Sequence, residues 1–387
     1  MRDIHAPGLI IWMRRATTLA GLACLLAAGI ASANPPRFFA YFANNSYIPE
    51  NYQHTNVTYI WAGFGDRNYA TSVILQELNT ARQYGRKAIV EVPAFVFSSN
   101  NGSCPYSLQP AAASYWNTFV NTLISYGHLV PNNPAASTVI AFYPVDEPEL
   151  CGLKDQSGSA HPALVNAINT LRSHPATSSF PIGVIASKKY GEAIRGIRLF
   201  DWAGLDNYSV STSSYLAQFA TFESQLLSHQ RSILVPQASL GGFMGSYGEY
   251  HDPDMILDRF LLNTRIIGII PFLWGHHDTT GVRGIPELRT AYTAIGNHIA
   301  NGAPLPLKVS SSCFGSGGLF ECSATVTRGT PPYFYNWQGA SWGGSAYAIY
   351  NRPCGQVHQI QLTVSDSGGQ QRTVSHSLYC EPGSVPY

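Results

Sequence analysis

Charge is scarce in this chain. Of 387 residues, 23 are Lys or Arg and 22 are Asp or Glu, which leaves a net charge of +1 and a charged fraction of 12%. A nucleic-acid binder needs a basic stripe to displace counterions from phosphates, so that class is excluded. A glycine-rich phosphate loop is also missing. The residues after the first strand-like run read AYFANNSYIPE, which argues against a dinucleotide-binding open sheet. No G-x-S-x-G elbow interrupts residues 37–300, so Ser-His-Asp hydrolysis is not expected. No internal repeat of solenoid length is apparent. Beyond the N-terminus no apolar run is long enough to span a bilayer.

The N-terminus itself is apolar for a different reason. Arg14 and Arg15 precede ATTLAGLACLLAAGIASA. A basic segment, a short apolar core and the A-x-A triplet Ala31, Ser32, Ala33 describe a secretory leader cleaved after Ala33, with Met13 as a workable start. Seven cysteines occur, and Cys24 lies in that leader. The remaining six, an even number in an exported chain, favour disulfides over metal ligands. Cys104 and Cys151 are expected to pair within the first domain. Cys313, Cys322, Cys354 and Cys380 are expected to pair among themselves, in an order left open.

From residue 37 to 300, apolar runs alternate with amphipathic ones. Eight runs are strand-like: RFFAYFA, VTYIWAGFG, KAIVEVPAF, STVIAFYPV, FPIGVIAS, LFDWAGLD, RSILVPQAS and IIGIIPFLW. Short continuous apolar runs suit strands covered on both faces. Helical spacing between them, as in Trp116, Val120 and Leu123, completes the pattern of an α/β (β/α)8 TIM barrel over residues 34–300. NGAPLPLK, residues 301–308, reads as a linker. Residues 309–387 alternate with period two and carry turn residues, which predicts a small all-β, immunoglobulin-like sandwich with a hairpin at 366–369.

In such a barrel the chemistry sits at the C-terminal ends of the strands. The first strand ends in Tyr41 and Asn44, the second in Trp61 and Asp66, and the third in Glu91. The fourth ends in Asp146 and Glu147, the sixth in Asp206, Asn207 and Tyr208, and the seventh in Gln237. The eighth offers Trp274, His276, His277 and Asp278. Carboxylates among aromatic faces suit a sugar, because rings stack on pyranose C–H bonds and a carboxyl pair can move protons. Glu149 is assigned instead to helix-start chemistry, where the macrodipole favours a carboxylate. Pro148 is expected to hold Glu147 in extended geometry.

The run FYPVDEPEL resembles the fourth-strand end of the (β/α)8 glycoside hydrolase superfamily, in which a Glu before Pro is the general acid/base. FDWAGLDNYS is similar to the sixth strand of its cellulase-like and galactosidase-like members, and PFLWGHH to the eighth. TVTRGTPPYFYNW resembles the PKD/Ig-like modules appended to exported hydrolases. The resemblance implies Glu147 as proton donor and Trp274 as the floor of the sugar subsite, with Asp206 and Tyr208 lining the pocket. Asp146 would keep Glu147 protonated. Substrate-binding roles would fall to Tyr41, Trp61, Glu91, Tyr208, Gln237, Trp274 and His276. The chain departs from the pattern at the seventh strand, where Gln237 stands near the position of the nucleophilic Glu. Three consequences stay open: Asp206 or Glu91 as the base of an inverting enzyme, substrate-assisted cleavage of an N-acetylhexosaminide by Asp146 and Glu147, or a scaffold that only binds glycan. Glu249 is a further candidate for the second carboxylate. The expectation is a secreted or periplasmic monomer acting on carbohydrate, with no cofactor, no metal, no nucleic acid and no membrane association after cleavage.

Overall fold

The computed structural model describes residues 37–63, 66–100, 103–240, 250–275 and 281–382. The expected leader, His276, His277, Asp278 and Glu249 lie outside them.

All eight expected barrel strands form. In chain order they are β1 (Phe38–Phe39), β2 (Val57–Ile60), β3 (Lys87–Glu91), β6 (Val139–Tyr143), β7 (Gly183–Ala186), β8 (Trp202–Asp206), β9 (Arg231–Val235) and β10 (Ile266–Ile269). A hairpin, β4 (Phe97–Asn100) and β5 (Ser103–Leu108), is inserted after the third strand. The sequence reading missed it, although Asn-Gly at 101–102 is a hairpin-turn signal.

The eight strands do not make one continuous ladder. They form two parallel arcs, β1-β10-β9-β8-β7 and β2-β3-β6. One seam is bridged at Phe142 with Ile182 and at Asp146 with Ile185. At the other, the Asn44 N–H donates to the Tyr59 carbonyl at 3.0 Å, and the Asn56 N–H to the Phe39 carbonyl at 3.3 Å. The expected closed barrel is therefore corrected to two arcs joined at points. The first strand is too short to carry a full ladder to its neighbour.

Packing nevertheless closes where the ladder does not. Phe38, Val57, Tyr59, Ile89, Ala141, Tyr143, Ile185, Trp202, Ile233, Val235, Ile267 and Ile270 belong to one buried cluster drawn from all eight strands or their immediate ends. Alternate residues of a strand point to opposite faces. Phe38, Ala40 and Phe42 thus face this interior, while Phe39 and Tyr41 face the strand–helix layer. That outer layer is built by the amphipathic helices. Helix Ala112–Ser125, for example, buries Trp116, Phe119, Val120 and Leu123 on one stripe. Asp66 caps helix Arg67–Gln83, accepting the Asn68 N–H at 2.6 Å, so it serves the helix start rather than the mouth.

Helix Pro286–Asn301 ends at Gly302, whose φ of 68° provides the left-handed C-terminal cap. After a short connection the chain forms β11 (Lys308–Ser316), β12 (Leu319–Arg328), β13 (Tyr333–Gln338), β14 (Tyr347–Asn351), β15 (His358–Asp366) and β16 (Gln371–Leu378). They make two antiparallel three-stranded sheets, β11-β12-β14 and β13-β15-β16, around their own apolar core of Phe320, Trp337, Tyr350 and Leu362. This arrangement is compatible with a sandwich. Asp254, on helix Pro253–Leu262, ties this region to the barrel through ion pairs with Arg328 and, at 3.0 Å, with Arg372.

Three disulfides form: Cys104–Cys151, Cys313–Cys322 and Cys354–Cys380. Each stays within its own region, and three of them are consistent with an exported protein. Among the described residues no helix is long and apolar enough to cross a membrane.

Candidate active site

The parallel strands place all their C-terminal ends on one face, and the chain after β6 turns sharply there. Glu147 sits at that turn with φ of 42°, a left-handed conformation that costs a non-glycine residue roughly 1–3 kcal/mol. Pro148 does not hold it extended, as expected from sequence. The proline disfavours only the right-handed helical region, and the backbone is pinned on both sides. The Glu147 N–H donates to the Ile185 carbonyl at 2.9 Å, and its carbonyl accepts the Leu150 N–H at 2.9 Å and the Cys151 N–H at 3.2 Å. Cys151 is anchored in turn through Cys104 to the β4–β5 hairpin. The acid is therefore presented by a braced turn.

Four carboxyl groups converge here. The Glu147 side chain is hydrogen-bonded to Asp206 at the end of β8, and the Tyr208 hydroxyl hydrogen-bonds Asp206 from the other side. Burial, reinforced by the charges of Asp146 and Glu149, pushes Glu147 up to about 8. Burial and the Glu147 charge hold Asp206 well above the usual carboxyl range. Asp146 is raised less, to about 6, because Tyr143 offsets its burial. The Tyr143 hydroxyl donates to Asp146 Oδ1 at 2.5 Å and accepts the Ile185 N–H at 3.0 Å. Burial and like charge thus raise Glu147 further than Asp146, so of the two Glu147 holds its proton to the higher pH.

Glu149 differs from its expected role. No helix starts there, since the next one spans Pro162–Ser173. Its carboxyl is fully buried, and one oxygen accepts the Ser187 N–H. It braces the loop after β7 against the turn carrying Glu147.

A cleft of about 390 Å³ opens over Glu147 and Asp206, lined also by Leu150, Lys188, Lys189 and Tyr208. The Tyr208 ring stacks on Phe272 at 4.9 Å, and Phe272 packs on Phe42, which stacks on Tyr59. An aromatic wall thus runs from the cleft across the interior of the mouth. Trp61 stands at the end of the second strand with 53% of its surface exposed. Its backbone is clamped by Asn45 at 2.7 and 2.8 Å, so an open ring is presented from a fixed main chain. Glu91 supports the same loop. One of its oxygens accepts the Ala62 and Gly63 N–H groups, both at 2.8 Å, and burial raises it to about 8.

The structure brings together Glu147, Asp146, Asp206 and Tyr208 but places three other expected site residues elsewhere. Trp274 is not a subsite floor. It is buried in the strand–helix layer, 4.9 Å from the Tyr41 ring, and its indole N–H donates to Glu50 at 3.0 Å. Tyr41 lies on the outward parity of the first strand, fully buried, with its hydroxyl 3.1 Å from His54 Nε2. Gln237 is fully buried too. Its amide accepts the Ser209 N–H at 2.7 Å and donates to the Ser239 carbonyl at 3.2 Å, so it ties two loops together. Asn44 is likewise spent on Asn51 and Thr58. Sequence reasoning missed Tyr143, Phe272, Lys188 and Lys189. Strand parity could have found Tyr143, two residues after the inward Ala141, and Phe272, two after the inward Ile270.

No family model and no curated protein sequence matches the chain. Solved structures do match, and several are glycoside hydrolases. An FMN-binding beta-glucuronidase from Facaelibacterium prausnitzii L2-6 aligns with a TM-score of 0.50 and 10% identity over 92% of this chain, which spans 58% of that chain's length. A GH113 beta-mannanase from Alicyclobacillus acidocaldarius aligns at 0.44 and 11% identity, over 69% of this chain and 99% of that one. The PKD1 domain of Vibrio anguillarum Epp aligns at 0.19 and 14% identity, over 22% of this chain and all of that domain. At such identities the likeness to the glucuronidase is one of fold.

Proposed function

We propose that the protein is an exported glycoside hydrolase in which Glu147 donates the proton to the leaving oxygen. The observation that carries this reading is the half-buried carboxyl of Glu147, facing the cleft beside Asp206 and raised to about 8. A carboxyl with that environment carries a proton at neutral pH and can give it up as the glycosidic C–O bond breaks. Asp206 holds Glu147 in place. Whether Asp206 or another carboxylate is the second group follows from the carboxyl separation, about 5 Å for retention and roughly 6.5–9.5 Å for inversion. Ionised Asp146 keeps the proton on Glu147 by like-charge repulsion. Tyr208 orients Asp206, and Trp61 offers a stacking face for a sugar ring at the rim. The C-terminal region is an accessory module.

The test is a screen of the mature protein on polysaccharides and chromogenic glycosides, run beside Glu147→Gln. Hydrolysis abolished by the substitution supports the assignment, and hydrolysis that survives it removes Glu147 from the mechanism. Glycan binding without turnover on any substrate would leave a non-catalytic carbohydrate-binding barrel.

A further inference from the structure

Lysine is the rarest charged residue of the chain, with five in 387 positions: Lys87, Lys154, Lys188, Lys189 and Lys308. Three of them have structural work. Lys87 donates to the Ala135 and Ser137 carbonyls at 2.8 and 2.6 Å. Lys154 pairs with Glu192 at 2.6 Å, and Lys308 pairs with Asp258. The other two are adjacent, exposed, and line the cleft that holds Glu147 and Asp206. Neither has an ion pair among the described residues. A protein that uses lysine so sparingly is not using this pair for general solubility.

The pair does not neutralise the site acids either. The shifts at Glu147 and Asp206 come from burial and neighbouring carboxylates, with no opposing lysine contribution. Lys189 feels Glu192, an exposed residue already paired with Lys154. The loop that carries the lysines is nevertheless fixed. The Ser187 N–H is bound by buried Glu149, and the Ser187 hydroxyl accepts the Lys189 N–H at 3.2 Å. Two ammonium groups are thus presented to the cleft from a backbone braced by the acid turn itself, and neither is held in an ion pair among the described residues.

We propose that Lys188 and Lys189 form an anion-recognising subsite, so that the glycan entering this cleft carries a negative ring substituent, a uronic carboxylate or a sulfate. This inference deepens the proposed function and rests on its reading of the cleft as a glycan site. A ring carboxylate or sulfate has the oxygen acceptors an ammonium pair lacks here, and charge-assisted hydrogen bonds are the stronger class. A neutral sugar would leave both cations unused.

The experiment titrates the Glu147→Gln protein, which separates binding from turnover. The probes are uronic-acid oligosaccharides, their carboxyl-reduced counterparts, and sulfated neutral oligosaccharides, each at low and high salt. An acidic probe is expected to bind about tenfold more tightly than its uncharged counterpart, with the advantage shrinking in high salt. Adding Lys188→Ala and Lys189→Ala should abolish that advantage, and arginine at both positions should restore most of it. The carboxylate and sulfate arms identify the anion. Equal affinity for charged and uncharged probes, or an advantage that survives the double alanine, overturns the proposal. Thermal melting confirms that these exposed substitutions leave the fold intact. The two readings fail separately. Lysine-dependent binding of an acidic glycan that the wild type never cleaves sinks the hydrolase and keeps the subsite. Glu147-dependent cleavage of neutral glycans with no preference for acidic ones does the reverse.

Discussion

Around the mouth of the barrel, the sector of the fourth to sixth strands and the sector of the eighth and first strands use similar residue types for opposite ends. The first gathers Asp146, Glu147, Glu149 and Asp206 with no cation paired to any of them among the described residues, and burial raises all four. The second contains Tyr41, Trp274 and Glu50, and the polar groups of these three are paired. The indole N–H meets Glu50, Glu50 meets Arg283 at 2.9 Å, and the Tyr41 hydroxyl meets His54. A sector whose polar groups are paired contributes rigidity. A sector whose carboxyls are drawn out of water without a paired cation holds protons to unusually high pH, the setting that the proposed proton donor needs, at an energetic cost the rest of the fold must offset.

The largest effect that would sharpen this contrast is on turnover. Glu147→Gln keeps the shape of the turn and removes the proton, and kcat should fall by about 10²–10⁴-fold. An unchanged kcat on a good substrate would erase the distinction between the two sectors. The pH profile comes next. Glu147 is raised above its ordinary value, so it is protonated below about 8 and loses its proton above. kcat/KM should therefore drop about tenfold per pH unit above that point. In the Glu147→Gln protein the residual rate should no longer follow that limb.

The tryptophans separate the sectors through a different pair of measurements. Trp274→Phe removes the indole N–H that Glu50 accepts and leaves a void in the buried strand–helix layer, which should lower stability by about 1–3 kcal/mol while leaving KM for a short glycoside unchanged. A stable variant with a raised KM would return Trp274 to the binding site. Trp61→Ala should do the opposite, since its ring is exposed. Unfolding free energy should move by no more than about 0.5 kcal/mol, while affinity for oligosaccharides weakens roughly three- to tenfold through loss of ring stacking.

Much of the barrel was legible in the sequence because its strands are doubly buried. Runs such as VTYI, KAIVE and RSILV read as strands without any tertiary information. The place of Glu147 at the mouth was legible because an apolar run ending in Asp-Glu-Pro marks a strand end. Trp274 and Tyr41 were misplaced for a common reason. A strand-end address says that a residue is near the mouth, but its face depends on parity and on how the chain turns after the strand. Ile270 and Phe272 follow the inward alternation, whereas Trp274, of the same parity, has already swung to the outer layer. Glu149 looked like a helix start because charge near a turn is locally indistinguishable from charge in a buried brace.

By itself the sequence determined the eight apolar runs, the helical stripes between them, the even cysteine set and the acid at the fourth strand end. Each of these depends on local periodicity or on residue chemistry. Only the tertiary structure decided which carboxyls meet, that Glu147 adopts a left-handed turn, that Gln237 and Trp274 face inward from solvent as braces, and that two of five lysines stand beside the acids. Those facts depend on contacts between segments far apart in the chain. Glu147 and Asp206 are 59 positions apart in the sequence, and no local pattern encodes the hydrogen bond between them. Their protonation follows from how completely the two segments exclude water, which is a property of the packed molecule.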